Sequence, residues 1–393
     1  MVITNGFMYL AFLLFIAGVF LALEKYAKWK IFNLVPPLVF IYVVNMIFCT
    51  IGLYKSEEVS ATYSAVKNNV LYAMIFVMLL RCDFRSLAKL GGRMVSIFLA
   101  CSFTLFVGFV IGFPLFKGGL GQDVWGAVAA LFASWMGGSA NMAAMQAALP
   151  VDAGAYSAAL ALDTVCYSLW IALLLFMVRH SEKWDRATKA DKSTLEAVAQ
   201  AAESEVNRDK TKAGSADWIF LIGVSLMVSA VSQVIGANLS EILAGAGLGM
   251  FDKGTITTVF VTILGLVCAL TKLGKVPAVE ELSSVYLYTV VSLLASTASV
   301  ADLLVAPMWI VYGVFVLIIH VILMFLFSKV FHWDLCMVST ASLANIGGSA
   351  SAPIVASAYN QSYAGIGVLM GVLGAAIGNF GGLLIAQILR VLQ

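Results

Sequence analysis

The chain has 393 residues, 62% of them hydrophobic and 11% charged, with 23 basic against 21 acidic side chains. Its mean hydropathy is +0.98, whereas a soluble domain carries about 25% charged residues. The composition excludes a soluble fold, and the near balance of charge excludes a nucleic-acid-binding field. What is left is an all-α polytopic membrane protein. Six scattered cysteines (Cys49, Cys82, Cys101, Cys166, Cys268, Cys336) form no C-x-x-C pair, so no disulfide or metal framework is expected.

In chain order, apolar segments suited to a hydrocarbon core of about 30 Å run over 7–23, 31–53, 66–80, 94–116 and 154–178. The first has no basic residue before it and no A-x-A site after it, so it reads as a span and not as a removable signal. Pro36-Pro37 starts or kinks the second. A polar stretch, 180–215, follows, and its alanine-rich middle, Thr194 to Glu205, suits a short surface helix. It reads as a solvated linker between two membrane halves or as a regulatory loop. Further spans are expected over 216–236, 255–271, 283–303, 306–328 and 362–388.

Two segments remain, 124–149 and 334–359. They carry identical tetrapeptides 210 residues apart, Gly137-Gly138-Ser139-Ala140 and Gly347-Gly348-Ser349-Ala350. Glycine pairs weaken a helix, and a break in lipid leaves backbone groups without water. Such breaks persist where they are buried in protein or line a wet cavity, and matching breaks in two halves point to a transporter site. In the first segment the arms on either side of the break measure about 20 Å and 15 Å at 1.5 Å per residue. Those of the second measure about 18 Å and 15 Å by the same rise. Either arm reaches the middle of a bilayer without crossing it. As re-entrant hairpins, with the amino terminus outside, the two segments leave 18 basic residues inside and 5 outside. As full spans they give at best 15 against 8. The positive-inside rule favours hairpins.

The expected organisation is therefore a first repeat over 1–179 (hairpin 124–149), a cytoplasmic linker over 180–215, and a second repeat over 216–393 (hairpin 334–359). Five spans plus one hairpin give each half an odd number of crossings, so the repeats are inverted and the two tips approach the midplane from opposite sides. The protein is placed in the cell (inner) membrane as a multi-pass protein.

Candidate solute ligands at the tips are Ser134, Gly137, Gly138, Ser139 and Asn141, then Asn345, Gly347, Gly348, Ser349 and Ser351. Gln146 and Ser342 lie close by in sequence. Glycine lets a ligand approach the backbone, and the helix resuming after each tip offers free N–H groups to a carboxylate. Serine and asparagine oxygens suit Na⁺. Close packing through small residues is the competing reading. Asp163, mid-helix after the first hairpin, is the candidate for coupling to Na⁺ or H⁺, against a structural hydrogen-bonded aspartate. Asn379, in Gly378-Asn379-Phe380-Gly381-Gly382, is a further polar candidate, and close packing explains that glycine run equally well. Asp152 reads as a helix cap or an entrance guard. Asp302 reads as an interfacial residue or a binding one, and His320, like Asn45, as a hydrogen-bonded packing residue with a proton relay as the other reading. No catalytic triad, phosphate loop or metal cluster is present, so enzyme chemistry has no foothold and no cofactor beyond a coupling ion is expected.

At Ser134-Trp-Met-Gly-Gly-Ser-Ala-Asn141 and Ala344-Asn-Ile-Gly-Gly-Ser-Ala-Ser351 the chain resembles the YjcL-like family of uncharacterised integral membrane proteins, over essentially its whole length. More distantly it is similar to sodium–glutamate symporters and 2-hydroxycarboxylate transporters, whose two hairpins also carry Gly-Gly motifs; this chain has G-G-S-A where the carboxylate transporters have G-G-x-G, so only the tip positions carry over. That similarity implies a homodimer with a fixed scaffold and a moving transport unit, working as an elevator. Function then reads as secondary transport of a small carboxylate-bearing solute. A non-transporting sensor or assembly protein on the same fold, and a passive channel, are the other readings.

Overall fold

Every regular element among the described residues is helical. The computed structural model describes residues 2–33, 37–54, 56–80, 90–193, 195, 198–199, 213–245, 253–298 and 306–393. The first half contains α1 (Gly6–Ala22), α2 (Pro37–Thr50), α3 (Glu57–Leu79), α4 (Gly91–Leu120), α5 (Trp125–Gly137), α6 (Ser139–Ala148) and α7 (Ala153–Val178). A short helix, α8 (Ser181–Thr188), opens the linker. The second half contains α9 (Ser215–Gly245), α10 (Lys253–Ala269), α11 (Val279–Ala295), α12 (Ala306–Phe331), α13 (Leu335–Tyr359) and α14 (Ala364–Leu392). Among the described residues the order of α-helices is the same on both sides of the linker: four helices, a broken helix, one helix.

Among the described residues six segments are long and apolar enough to cross a membrane: Gly6–Ala27, Gly91–Leu120, Ala153–Val178, Ser215–Leu243, Pro307–Phe331 and Gln361–Leu392. This is consistent with a polytopic membrane protein. The other expected spans are shorter or more polar. Segment 31–53 holds a 3-10 turn at Lys30–Asn33 and then the 14-residue α2, which begins at Pro37. Segment 66–80 belongs to a longer helix that starts at Glu57, where Ser56 accepts the Val59 N–H at 3.1 Å. That polar first turn lies outside any hydropathy window, yet a side-chain cap is enough to start the helix there. Segment 283–303 gives α11, which ends at Ala295, and Asp302 lies outside the described residues. So do Pro36 and most of Thr194–Glu205.

Packing sorts the helices into two groups. One, the flanking group, comprises α1–α3 and α9–α11. The other, the hairpin group, comprises α4–α8 and α12–α14, with α14 packed most extensively on α13 and α5. Contacts between the groups are far fewer and run mainly from α6 and α14 to α3 and α10. Tyr42 to Ser157 (3.0 Å) and Asn379 to Thr262 (3.1 Å) are hydrogen bonds that cross this seam.

Helices α4 and α12 run antiparallel. A Cβ built on Gly108 would lie 3.0 Å from the Val316 side chain, one on Gly112 2.9 Å from the Tyr312 ring, and one on Gly119 2.8 Å from Met308. The missing side chains let the two backbones close on one another.

The linker is not simply solvated. Its first part docks on the turn before α13: the Leu335 N–H donates to Asp185 at 2.9 Å, and the Asp191 N–H to the His332 carbonyl at 3.0 Å. Arg93 donates to the Asp191 carboxylate at 2.8 Å and to the His332 carbonyl at 2.9 Å.

Candidate functional site where two glycine breaks meet

Both broken segments fold back on themselves. In the first, Gly126 near the start lies against Pro150 at the end, a built Cβ falling 2.8 Å from the Pro150 carbonyl. In the second, the Ser339 hydroxyl meets the Tyr359 phenol at 3.2 Å. The arms suit burial on all sides. Residues 126–136 of α5 are all buried, as expected of a helix that is apolar around its whole circumference.

The break falls on the second glycine of each pair. Gly138 has φ 96° and ψ 176°, and Gly348 has φ 69° and ψ −163°. This region of backbone space is essentially confined to glycine. The first glycine of each pair has a different task, which is to leave room. A Cβ on Gly137 would fall 2.4 Å from the Gly374 carbonyl oxygen, and one on Gly347 2.8 Å from the Tyr167 ring. The two tips touch: a Cβ built on Gly348 would lie 3.6 Å from both the Gly138 Cα and the Gly137 carbonyl oxygen.

Helix α6 starts at this contact without a side-chain cap; the Asn141 N–H turns back on the Gly138 carbonyl at 3.0 Å, and the Ser139 and Ala140 N–H groups ahead of it have no capping side chain. Gly137 through Ala140 are only partly buried. The arrangement suits an anion, because free N–H groups and the positive end of a helix converge there.

Asp163 sits one helical turn from the first tip. It accepts the Ser134 hydroxyl at 3.0 Å and the Trp135 indole N–H at 2.8 Å. Among the described residues no basic side chain pairs with it. Ser134 is thus spent on Asp163, and no local spacing rule in the sequence points to the Trp135 contact.

Asn141 is fully buried and neither of its carboxamide atoms has a partner. Ser351 bonds the Tyr167 phenol at 2.9 Å and the Gly347 carbonyl at 3.1 Å. Asn345 turns away from the tip: its Oδ1 accepts the Ser102 hydroxyl at 2.6 Å, and its Nδ2 donates to the Ala341 carbonyl at 2.9 Å. Asn379 faces the seam, where its Nδ2 meets Thr262, while its Oδ1 and the nearby Thr258 hydroxyl lack partners. Gln146 Oε1 also has none. Gly378 and Gly382 serve packing, since Cβ atoms there would strike Asn141 and Met145. The Ser349 side chain lies outside the described residues. The tips therefore bring together Gly137, Gly138, Ser139, Asn141, Gly347, Gly348 and Ser351, and leave Asn345 and Asn379 to other contacts.

The weaker candidates resolve as packing and capping groups. Asp152 caps α7 by accepting the Gly154 N–H at 2.8 Å. Asn45 donates to the Ile41 carbonyl and accepts from Tyr54. The His320 ring lies between Thr104 (2.6 Å) and Ser342 (2.8 Å), and Ser342 takes the Trp170 N–H at 3.0 Å. Because Thr104 donates to the Cys101 carbonyl, Nδ1 carries the proton and Nε2 accepts from Ser342. That closes the network with a neutral ring.

The chain is similar to the "Uncharacterized membrane protein YjcL" of Bacillus subtilis (strain 168), with 24% identity over 378 residues, 93% of this chain and 92% of that one. A family profile described as "Protein of unknown function (DUF819)" matches residues 11–392. The chain is thus a membrane protein that belongs to the DUF819 family.

Proposed function

We propose that the protein is a secondary active transporter, moving a small carboxylate-bearing solute (an acidic amino acid, dicarboxylate or short peptide) in exchange for the energy of a Na⁺ or H⁺ gradient. The observation that carries this reading is the meeting of two glycine-broken hairpins, Gly138 against Gly348, one from each half of the chain. The antiparallel course of α4 and α12, which hold the same place in the two halves, supports an inverted repeat. The sparse seam supports an elevator in which the hairpin group slides against the flanking group as scaffold. The outer apolar faces of α1 and α9 leave room for a second copy in a homodimer.

In this mechanism the solute carboxylate meets the uncapped N–H groups at the start of α6, and Asn141 supplies an unclaimed donor and acceptor beside them. Asp163 reads the coupling ion through Ser134, one turn from the tip.

The test is uptake of labelled glutamate, malate and a glutamyl dipeptide into proteoliposomes under an inward Na⁺ or H⁺ gradient. Gradient-driven uptake that Asp163→Asn abolishes supports the proposal. No uptake of any of these solutes under either gradient, with no thermal shift on adding them, would favour a membrane sensor on a transporter-like fold.

A further inference from the structure

We propose that the cleft between the first turns of α4 and the last turns of α12 binds an anionic phospholipid, with its phosphate at Arg93 and an acyl chain along Ala100 and Phe103. The two helices are in close contact at Gly108 and Gly112, and toward the end that carries α8 they part around a cleft of about 450 Å³. Its lining is Arg93, Ser96, Ala100, Phe327, Phe331 and Trp333. A volume of this size falls within the range of about 300–1,000 Å³ that small-molecule sites occupy.

Positions 93, 96, 100 and 103 follow one face of α4, and Phe327 and Phe331 follow one face of α12. The Phe103 and Phe327 rings stack with centroids 6.4 Å apart, and those of Phe331 and Trp333 at 5.1 Å. From Arg93 to Phe103 the groove runs ten residues, about 15 Å of helix. It is flanked by exposed Leu99, Phe103 and Phe331, so its apolar end faces the surroundings of the bundle. A polar head with an apolar groove leading away from it is the shape of a phospholipid.

Charge decides which one. Among the described residues Arg93 is the only ionisable one in the lining. Its guanidinium has five N–H donors, and its Nη groups meet three acceptors, the Asp191 carboxylate and the carbonyls of Asp191 and His332. The Nε–H has no partner but is buried, so the donor left to the cleft is the second Nη1 hydrogen, on a side chain that is 23% exposed. Donor capacity therefore remains beside a single carboxylate that is itself half exposed. Basic pockets between membrane helices, bordered by aromatic rings at the interface, are the usual place for acidic lipid heads. This inference does not depend on transport.

The experiment is thermal unfolding of the purified full chain in detergent, titrated with phosphatidylglycerol, phosphatidylcholine or inorganic phosphate, alongside native mass spectrometry of retained lipid. Phosphatidylglycerol is expected to raise the unfolding temperature and to be retained in preference to phosphatidylcholine. In Arg93→Gln that preference should fall to a ratio of about one. Since Arg93 also holds the linker, Ala100→Phe serves as the second variant: it fills the groove, leaves the guanidinium contacts in place, and should lose retention equally. Equal responses to the two lipids, reproduction of the shift by inorganic phosphate, or undiminished retention in Ala100→Phe would each overturn the proposal.

Discussion

Asn141 and Ser351 stand at the same offset from their glycine pairs, yet only Ser351 is satisfied. The serine hydroxyl is shared between Tyr167 and the Gly347 carbonyl, while both polar atoms of the fully buried Asn141 carboxamide are unpaired. A buried polar group without a partner costs about 1–3 kcal/mol, so a purely structural role would have selected an apolar side chain of this size. Asn141→Leu should therefore leave the unfolding temperature unchanged or raise it while abolishing the thermal response to any transported solute. Ser351→Ala should lower stability by about 1 kcal/mol. A large destabilisation in Asn141→Leu would instead assign the asparagine to packing.

The two glycines of each pair should fail differently on substitution. Gly138→Ala and Gly348→Ala meet a backbone conformation essentially closed to side chains, at a cost of about 1–3 kcal/mol. Gly137→Ala and Gly374→Ala meet backbone atoms, with built Cβ contacts of 2.4 Å to the Gly374 carbonyl and 2.3 Å to the Met136 carbonyl. Overpacking of this kind costs about 1–3 kcal/mol. Gly118→Ala and Gly223→Ala, which have nothing within 4 Å, are the controls and should be neutral or slightly stabilising. Thermal unfolding across this set checks the tip geometry without any assay of transport.

His320 offers a test of packing against proton relay. Its two ring nitrogens are both occupied by hydroxyls that have further partners of their own. His320→Ala should destabilise by about 1–3 kcal/mol, because the Ser342 O–H loses its acceptor while Thr104 keeps the Cys101 carbonyl, and should leave the pH profile of any measured uptake where it was. A shifted profile would make the ring part of a proton path.

The two ion pairs of the linker contact, Arg93 with Asp191 and Lys192 with Asp185, should be indifferent to pH across the neutral range. Asp191 is held down at about 2, first by the Ser193 N–H, then by the Ser193 hydroxyl and by Arg93. A depressed carboxylate contributes its stability above its unfolded value of about 3.9 and loses it as pH falls through the folded one. Lys192 is raised by its bond to Asp185, so its contribution is present below the ordinary lysine range and is lost as pH rises through the raised value. Between about pH 5 and 9 neither group changes charge. Hydrogen-exchange protection of the Leu335 amide, which Asp185 accepts, should be constant over that interval once intrinsic exchange is corrected for. It should drop in Asp185→Asn. Loss of protection near neutrality in the unmodified chain would show that other groups hold the linker.

The broken helices were legible in the sequence because glycine pairs leave a backbone signature, and the short arms set their reach. The partners of the polar residues were not. Asp163 finds Trp135 across 28 positions, and Asn345 finds Ser102 across 243, distances over which helical periodicity carries no information. The seam between helix groups was hidden for the same reason, since which apolar face meets which is decided by three-dimensional packing. Hydropathy also misjudged the ends of α3, where Ser56 starts a helix through a polar turn, and the docked start of the linker, where Asp185 and Arg93 side chains meet backbone groups 150 and 239 positions away.

The sorting of helices has a bearing on how the chain is made. Neither group is completed by either half: the flanking group takes α1–α3 and then waits for α9–α11, and the hairpin group closes only when α14 follows α12 and α13. During synthesis α4–α7 must therefore be held in the bilayer without their partners until the last 88 residues emerge, counting from α12 at 306. For that interval Asp163 already has Ser134 and Trp135 of its own half, but the first hairpin stands without the second, the state most exposed to quality control.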